Sequence, residues 1–230
     1  MNQRFPDADT VLLSGSVVRG EATETSDLDL VVLFEHLPQA ARQSFNFDGW
    51  PVEAFLHDLS TLEYFFWDED RPTGVPSLAN MVLEGIEIPT ETALGQKAKL
   101  RAQRVLDAGP IPLSDEDIDT ARYAISDLLS DLRAPRGESE RRAILTALYP
   151  VLADFLFRSA GKWSAKGKTI PGHLRALDPA RSDRFEAAFE LGFAQGDARQ
   201  VLELSNEALA PFGGDLFDGY ERSAPHEWRK

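Results

Sequence analysis

Asp27 and Asp29 stand two positions apart at the mouth of an apolar run, Leu30-Val31-Val32-Leu33-Phe34. Positions i and i+2 of a strand project to the same face. Two carboxylates held there repel each other, and burying them unpaired is costly. A divalent cation between them removes both problems, because Mg²⁺ takes oxygen ligands and bridges to substrate phosphates. The pair therefore reads as a metal site before it reads as structure.

The residues upstream fit the same chemistry. Val11 to Leu13 predicts a short buried strand over 10–14, ending at Gly15-Ser16. Gly15 permits a tight turn and a close approach of backbone to ligand. Ser16 offers a hydroxyl where a helix is expected to start, with Val17 to Gly20 following, and free N–H groups at a helix start cradle phosphate. Arg19 adds a guanidinium of bidentate phosphate geometry. The next strand is expected over 52–56, within Pro51-Val52-Glu53-Ala54-Phe55-Leu56-His57, where Glu53 is the lone acid among apolar residues. Such an acid should pair or ligate. Strands carrying Asp27, Asp29 and Glu53 side by side would complete a site for two cations. Asp48 and Asp58 are the alternatives to Glu53.

Taken together, Gly15-Ser16-Val17-Val18-Arg19-Gly20-Glu21-Ala22 followed by Ser26-Asp27-Leu28-Asp29-Leu30 resembles the nucleotidyltransferase superfamily of the DNA polymerase beta type, and in particular its small stand-alone bacterial members. The resemblance covers about residues 10 to 90. It implies that Gly15 and Ser16 bind the triphosphate of a nucleoside triphosphate, that Asp27 and Asp29 ligate two Mg²⁺ ions, and that Glu53 is the third ligand or base. It also implies a nucleotidyltransferase catalytic domain over residues 1–90 and a C-terminal helical bundle domain over 91–230. The layout is similar to that of aminoglycoside nucleotidyltransferases, in which an acid of the helical half serves as base. Asp127, Asp131 and Asp154 are the candidates for that role here.

Composition narrows the acceptor. The net charge of −14 is uneven, with 17 acidic and 6 basic residues in the first hundred. Nucleic acid is bound mainly through cationic contacts to phosphate, so an acidic catalytic half argues against a templated polymerase. A small-molecule or protein acceptor is expected instead. The absence of Cys excludes disulfides and thiolate metal sites. No run of eighteen apolar residues and no signal-peptide core is present, so a soluble cytoplasmic protein is expected.

The expected fold class is α/β plus all-α: a small mixed-sheet domain followed by a helical bundle. After the strands at 10–14, 28–34 and 52–56, with helices between, the pattern predicts a helix over 59–67 and an exposed loop over 68–74. A short helix over 77–83 and an edge strand over 86–88 follow. The aromatic cluster from Phe45 to Trp67 reads as core. Helices are then expected over 92–108, from Ser114 to Leu132, over 138–160, and near 181–194 and 197–210. Pro150 should kink or split the longest of these. The tail from Asp215 to Lys230 is expected to pack loosely or fray.

One further segment stands out. From Arg158 to Arg184 there are seven Lys and Arg against Asp178 and Asp183. Gly-flanked Lys166 and Lys168 before Pro171 form a candidate anion-binding loop, offered to nucleotide phosphate or pyrophosphate. The same residues also suit the C-terminus of a long helix, whose dipole favours cations. His36, His57, His173 and His226 form no ligand spacing, although His57 shares a strand face with Glu53. Two other readings remain: a nucleotide-binding regulator without turnover, or an antitoxin-like partner that modifies a toxin.

Overall fold

The computed structural model describes residues 4–224. Two compact units divide the chain at Ile111 and Pro112. The sequence reading placed the division near residue 90. The difference is one helix, Ala93–Ala108, which packs against the sheet and its neighbouring helix within the first unit.

The first unit is a mixed five-stranded sheet ordered β3-β4-β2-β1-β5. Its strands are β1 (Thr10–Ser14), β2 (Leu28–Leu33), β3 (Ala41–Phe47), β4 (Trp50–His57) and β5 (Ile86–Ile88). β2 and β4 run parallel, and the other pairings are antiparallel. Strict alternation sorts the side chains. Val11, Leu30, Val32, Val52, Ala54 and Leu56 form one buried face with Phe5. Leu12, Val31 and Leu33 point the other way and are fully buried. Helices α1 (Leu59–Tyr64), α3 (Ser77–Glu84) and α4 (Ala93–Ala108) cover that second face.

Several local expectations are corrected. β3 was not expected; it forms a hairpin with β4 through Asp48-Gly49, both at positive φ. Two such residues between strands make the tight turn whose twist suits a hairpin. Residues 16–20 form turns, not a helix. The segment expected as a loop over 68–74 is helical up to Thr73: α1 continues through a wider π turn, Phe65–Asp70, into α2 (Arg71–Thr73), and Gly74 stops it at φ 75°. Fully buried Leu62 and Phe66 anchor this stretch. Asp70 accepts the N–H groups of Leu78 and Ala79 and so caps the next helix, while Asp68 and Glu69 stay exposed.

The second unit is helical: α5 (Asp115–Arg133), α6 (Glu138–Arg158), α7 (Ile170–Leu177), α8 (Pro179–Gln195) and α9 (Arg199–Leu209). α7 was not expected. α6 runs through Pro150 as one helix. Leu129, Leu145, Leu148, Leu152, Phe185 and Phe189 lie at the centre of the core. The Tyr149 ring meets Phe185 and Phe189 edge-on, both at 4.9 Å, and its hydroxyl donates to Glu186 at 2.6 Å. The tail is pinned where it is described. Arg122 donates to the Gly214 carbonyl, the Leu216 N–H donates to Ser126, and Tyr220 stacks on Tyr123 at 4.1 Å. Residues 225–230, including His226, lie outside the described residues. Among the described residues, no helix is long and apolar enough to cross a membrane.

Candidate metal and nucleotide site

The register of the sheet assembles the acids. Asp29 lies opposite Ser14 on β1 and opposite Glu53 on β4, and Glu53 lies opposite Ser44 on β3. Asp27 sits just before β2. Asp27, Asp29 and Glu53 each offer a carboxylate oxygen, and these atoms lie within 4.8 Å of one another. All three residues are half-buried. At that spacing each pair of like charges costs about 3 kcal/mol in a near-surface dielectric. A cluster of this kind calls for cations, and hard carboxylate oxygens suit Mg²⁺.

Gly15 makes the cluster possible. It lies at φ 77°, and a Cβ built on it would meet Asp29 Oδ2 at 2.0 Å. The turn after β1 thus approaches the Asp29 carboxylate so closely that an added Cβ would push it aside. The Gly15 N–H donates to Glu84 Oε1 at 3.1 Å. Ser16 donates to Ser26 Oγ at 3.3 Å, and Ser26 also accepts the Thr23 N–H. Backbone bonds from Arg19 to Gly15 and from Glu21 to Ser16 close the turn. Arg19 bonds Glu21 at 2.9 Å and Glu84 at 2.7 Å. Hydrogen bonds to these carboxylates hold it above the ordinary guanidinium range.

Two residues of this region were not singled out from sequence. Glu84, at the end of α3, anchors both the Gly15 turn and Arg19. Arg42, on β3, donates through Nη2 to both oxygens of Glu53 at 2.5 Å. The Glu53 hydrogen bond, reinforced by the charges of Asp29 and Asp27, raises Arg42 above its ordinary range. The Asp48-Gly49 turn was the available signal for Arg42, since it fixes the pairing of β3 with β4. Glu84 had no signal beyond being an acid at a helix end.

The other candidates have different surroundings. Asp48 is an exposed turn residue. Asp58 caps α1: Oδ1 accepts from the Thr61 N–H at 2.8 Å and Oδ2 from the Leu37 N–H at 2.9 Å. Burial pushes its carboxyl up, but these bonds outweigh that and hold it below the usual range. His57 is buried against Phe65 and shares a hydrogen bond with Thr61. Burial pushes it down to about 4, against the pull of Asp58. It is a packed histidine held neutral. Lys166 and Lys168 lie in the second unit, exposed around the 3₁₀ turn Gly167–Thr169, which the Thr169 hydroxyl closes onto the Lys166 carbonyl. Asp127, Asp131 and Asp154 are also exposed residues of that unit.

Comparison with known proteins bears on the first unit. The family model described as a nucleotidyltransferase domain matches residues 1–83. Among solved structures, a nucleotidyltransferase-like protein from Exiguobacterium sibiricum 255-15 is similar at 13% identity and a TM-score of 0.41, over 90% of this chain and 69% of that one. No curated protein matches the chain.

Proposed function

We propose, for a chain whose residues 1–83 match the nucleotidyltransferase domain model, that it transfers a nucleoside monophosphate from a nucleoside triphosphate to a hydroxyl of a small molecule or protein. The observation that carries this reading is the convergence of Asp27, Asp29 and Glu53 beside a glycine at which a Cβ would collide with Asp29. The donor set fits divalent cations, since all three groups are hard oxygen ligands. Three clustered carboxylates, with the phosphate charge a nucleotide brings, suit the two such ions of a two-metal mechanism.

In this reading Asp27, Asp29 and Glu53 would hold Mg²⁺. When bound, the metal supplies charge that lowers the acceptor hydroxyl's pKa and balances the departing pyrophosphate. The remaining work falls to the chain itself. The Ser16 hydroxyl, donated to Ser26 in this structure, and backbone N–H groups of the turn would be offered to the outer phosphates instead. Fixing the triphosphate against β1 orients its α-phosphorus relative to the carboxylates, and such positioning accounts for much of the rate in phosphoryl chemistry. The chemistry is assigned to the sheet unit, up to Ile111, and acceptor recognition to the helical unit from Pro112. Lys166 and Lys168 are read as anion-binding groups of the second unit.

The test is label transfer and pyrophosphate release from each α-labelled nucleoside triphosphate with Mg²⁺. It is run against aminoglycosides, small hydroxylated metabolites and cell lysate, beside an Asp27→Ala/Asp29→Ala control. Label on an acceptor that vanishes in the control supports the reading and identifies the acceptor class. Triphosphate binding without transfer would replace it with a regulatory, binding-only function.

A further inference from the structure

Arg42 takes up acceptor sites on both oxygens of the Glu53 carboxylate. One guanidinium nitrogen lies 2.5 Å from both carboxylate oxygens. A carboxylate cannot offer the same lone pairs to a guanidinium and to an ion ligated at about 2.1 Å. Arg42 is also placed to leave. It sits on the edge strand β3, its side chain is 59% exposed, and its guanidinium lies over the Phe55 ring, 5.1 Å from the centroid, in the same pose that bonds Glu53. Cation–π contact with such a ring is favourable. Glu53, by contrast, is fixed by pairing on both sides, with β2 and with β3.

We infer that Arg42 is an internal counter-ion that competes with the divalent cation for Glu53 and must swing away before all three carboxylates can ligate metal. This rests on the metal-site reading above. In the absence of nucleotide, Arg42 neutralises one of three clustered charges and keeps cation affinity low. The arrival of a metal-bound triphosphate supplies the extra charge that displaces it. Arg42 is thus a positioning residue that links occupancy at Glu53 to nucleotide binding.

The test measures Mn²⁺ affinity without nucleotide, from the free-ion electron paramagnetic resonance signal. It compares the wild-type chain with Arg42→Ala, Arg42→Lys and Asp29→Asn, and thermal melts confirm that each variant is folded. Arg42→Ala is expected to bind Mn²⁺ about tenfold more tightly, as removal of a competing charge near the surface predicts. Arg42→Lys, which lacks the planar fork, should fall between. The wild-type gain on adding a non-hydrolysable triphosphate should shrink in Arg42→Ala. Equal or weaker Mn²⁺ binding in Arg42→Ala, with binding lost in Asp29→Asn, overturns the competition while leaving the metal site standing. If no form binds Mn²⁺, or if Asp29→Asn binds as well as wild type, the metal site falls, and this inference with it.

Discussion

Replacing Gly15 with alanine should damage the site far more than it damages the fold. Two effects act at this position. The first is backbone strain: Gly15 lies at φ 77°, and a residue with a Cβ there costs roughly 1–2 kcal/mol. The second is a collision, since the added carbon would lie 2.0 Å from Asp29 Oδ2 and 2.9 Å from its Cγ. An ordinary contact requires Asp29 to retreat by about 1 Å or more, whereas Mg²⁺ accepts ligands only near 2.1 Å. Gly20 provides the matched control. It lies at φ 71° in the same loop, with nothing within 4 Å of an added Cβ. Gly20→Ala should therefore carry the strain alone. Urea unfolding should place Gly20→Ala about 1–2 kcal/mol below wild type and Gly15→Ala somewhat lower. Mn²⁺ affinity should fall at least tenfold in Gly15→Ala and stay within about twofold in Gly20→Ala. Wild-type Mn²⁺ affinity in a folded Gly15→Ala protein would refute the claim that this glycine exists to admit Asp29.

Other outcomes follow from the same geometry. Glu53→Gln should weaken Mn²⁺ binding about tenfold or more while leaving the melting temperature nearly unchanged, because it removes a charge from a crowded cluster. Asp58→Ala should do the reverse: lost capping of α1 costs about 1 kcal/mol in urea unfolding, and Mn²⁺ affinity holds. His57 predicts an acid slope. Its folded value is about 4, so as pH falls below the ordinary 6.5 the unfolded chain takes up the proton first. Stability should drop from pH 6.5 towards 4 by on the order of 3 kcal/mol, and His57→Phe should flatten that part of the urea-unfolding profile. Buried Glu87 accepts from the Thr92 N–H, the Thr92 hydroxyl and the Thr10 hydroxyl. Glu87→Ala leaves these donors unmet and should cost about 2–3 kcal/mol in the same assay.

The proximity of the three acids was legible because each carries a local signal. Asp27 and Asp29 are two apart, at the entry and near the start of an apolar strand, and Glu53 is the single acid in another. What sequence did not carry was the partner of that cluster. Ala41–Phe47 is an exposed edge strand without the alternating apolar pattern that marks a half-buried one, and five of its seven residues are exposed. Its existence rests on the Asp48-Gly49 turn, and Arg42 reaches Glu53 only through the register that this turn sets. Glu84 was hidden for another reason. It lies 69 residues from the Gly15 N–H it accepts, and no local spacing encodes that meeting. The helix through residues 68–73 reads as loop from its charges and Pro72; burial of Phe66 and capping of α3 by Asp70 override that tendency. The division at Ile111 escaped because α4 resembles the later helices in composition and differs only in what its apolar stripe touches.

The most direct test of the account is a crystal of the chain grown with Mn²⁺ and a triphosphate whose α–β bridge cannot be cleaved, with data collected for the anomalous signal of manganese. The account predicts Mn²⁺ peaks ligated by oxygens of Asp27, Asp29 and Glu53, triphosphate oxygens against the Gly15-Ser16 turn, and Arg42 withdrawn from Glu53. Manganese bound elsewhere, or a triphosphate seated away from these carboxylates, would contradict it.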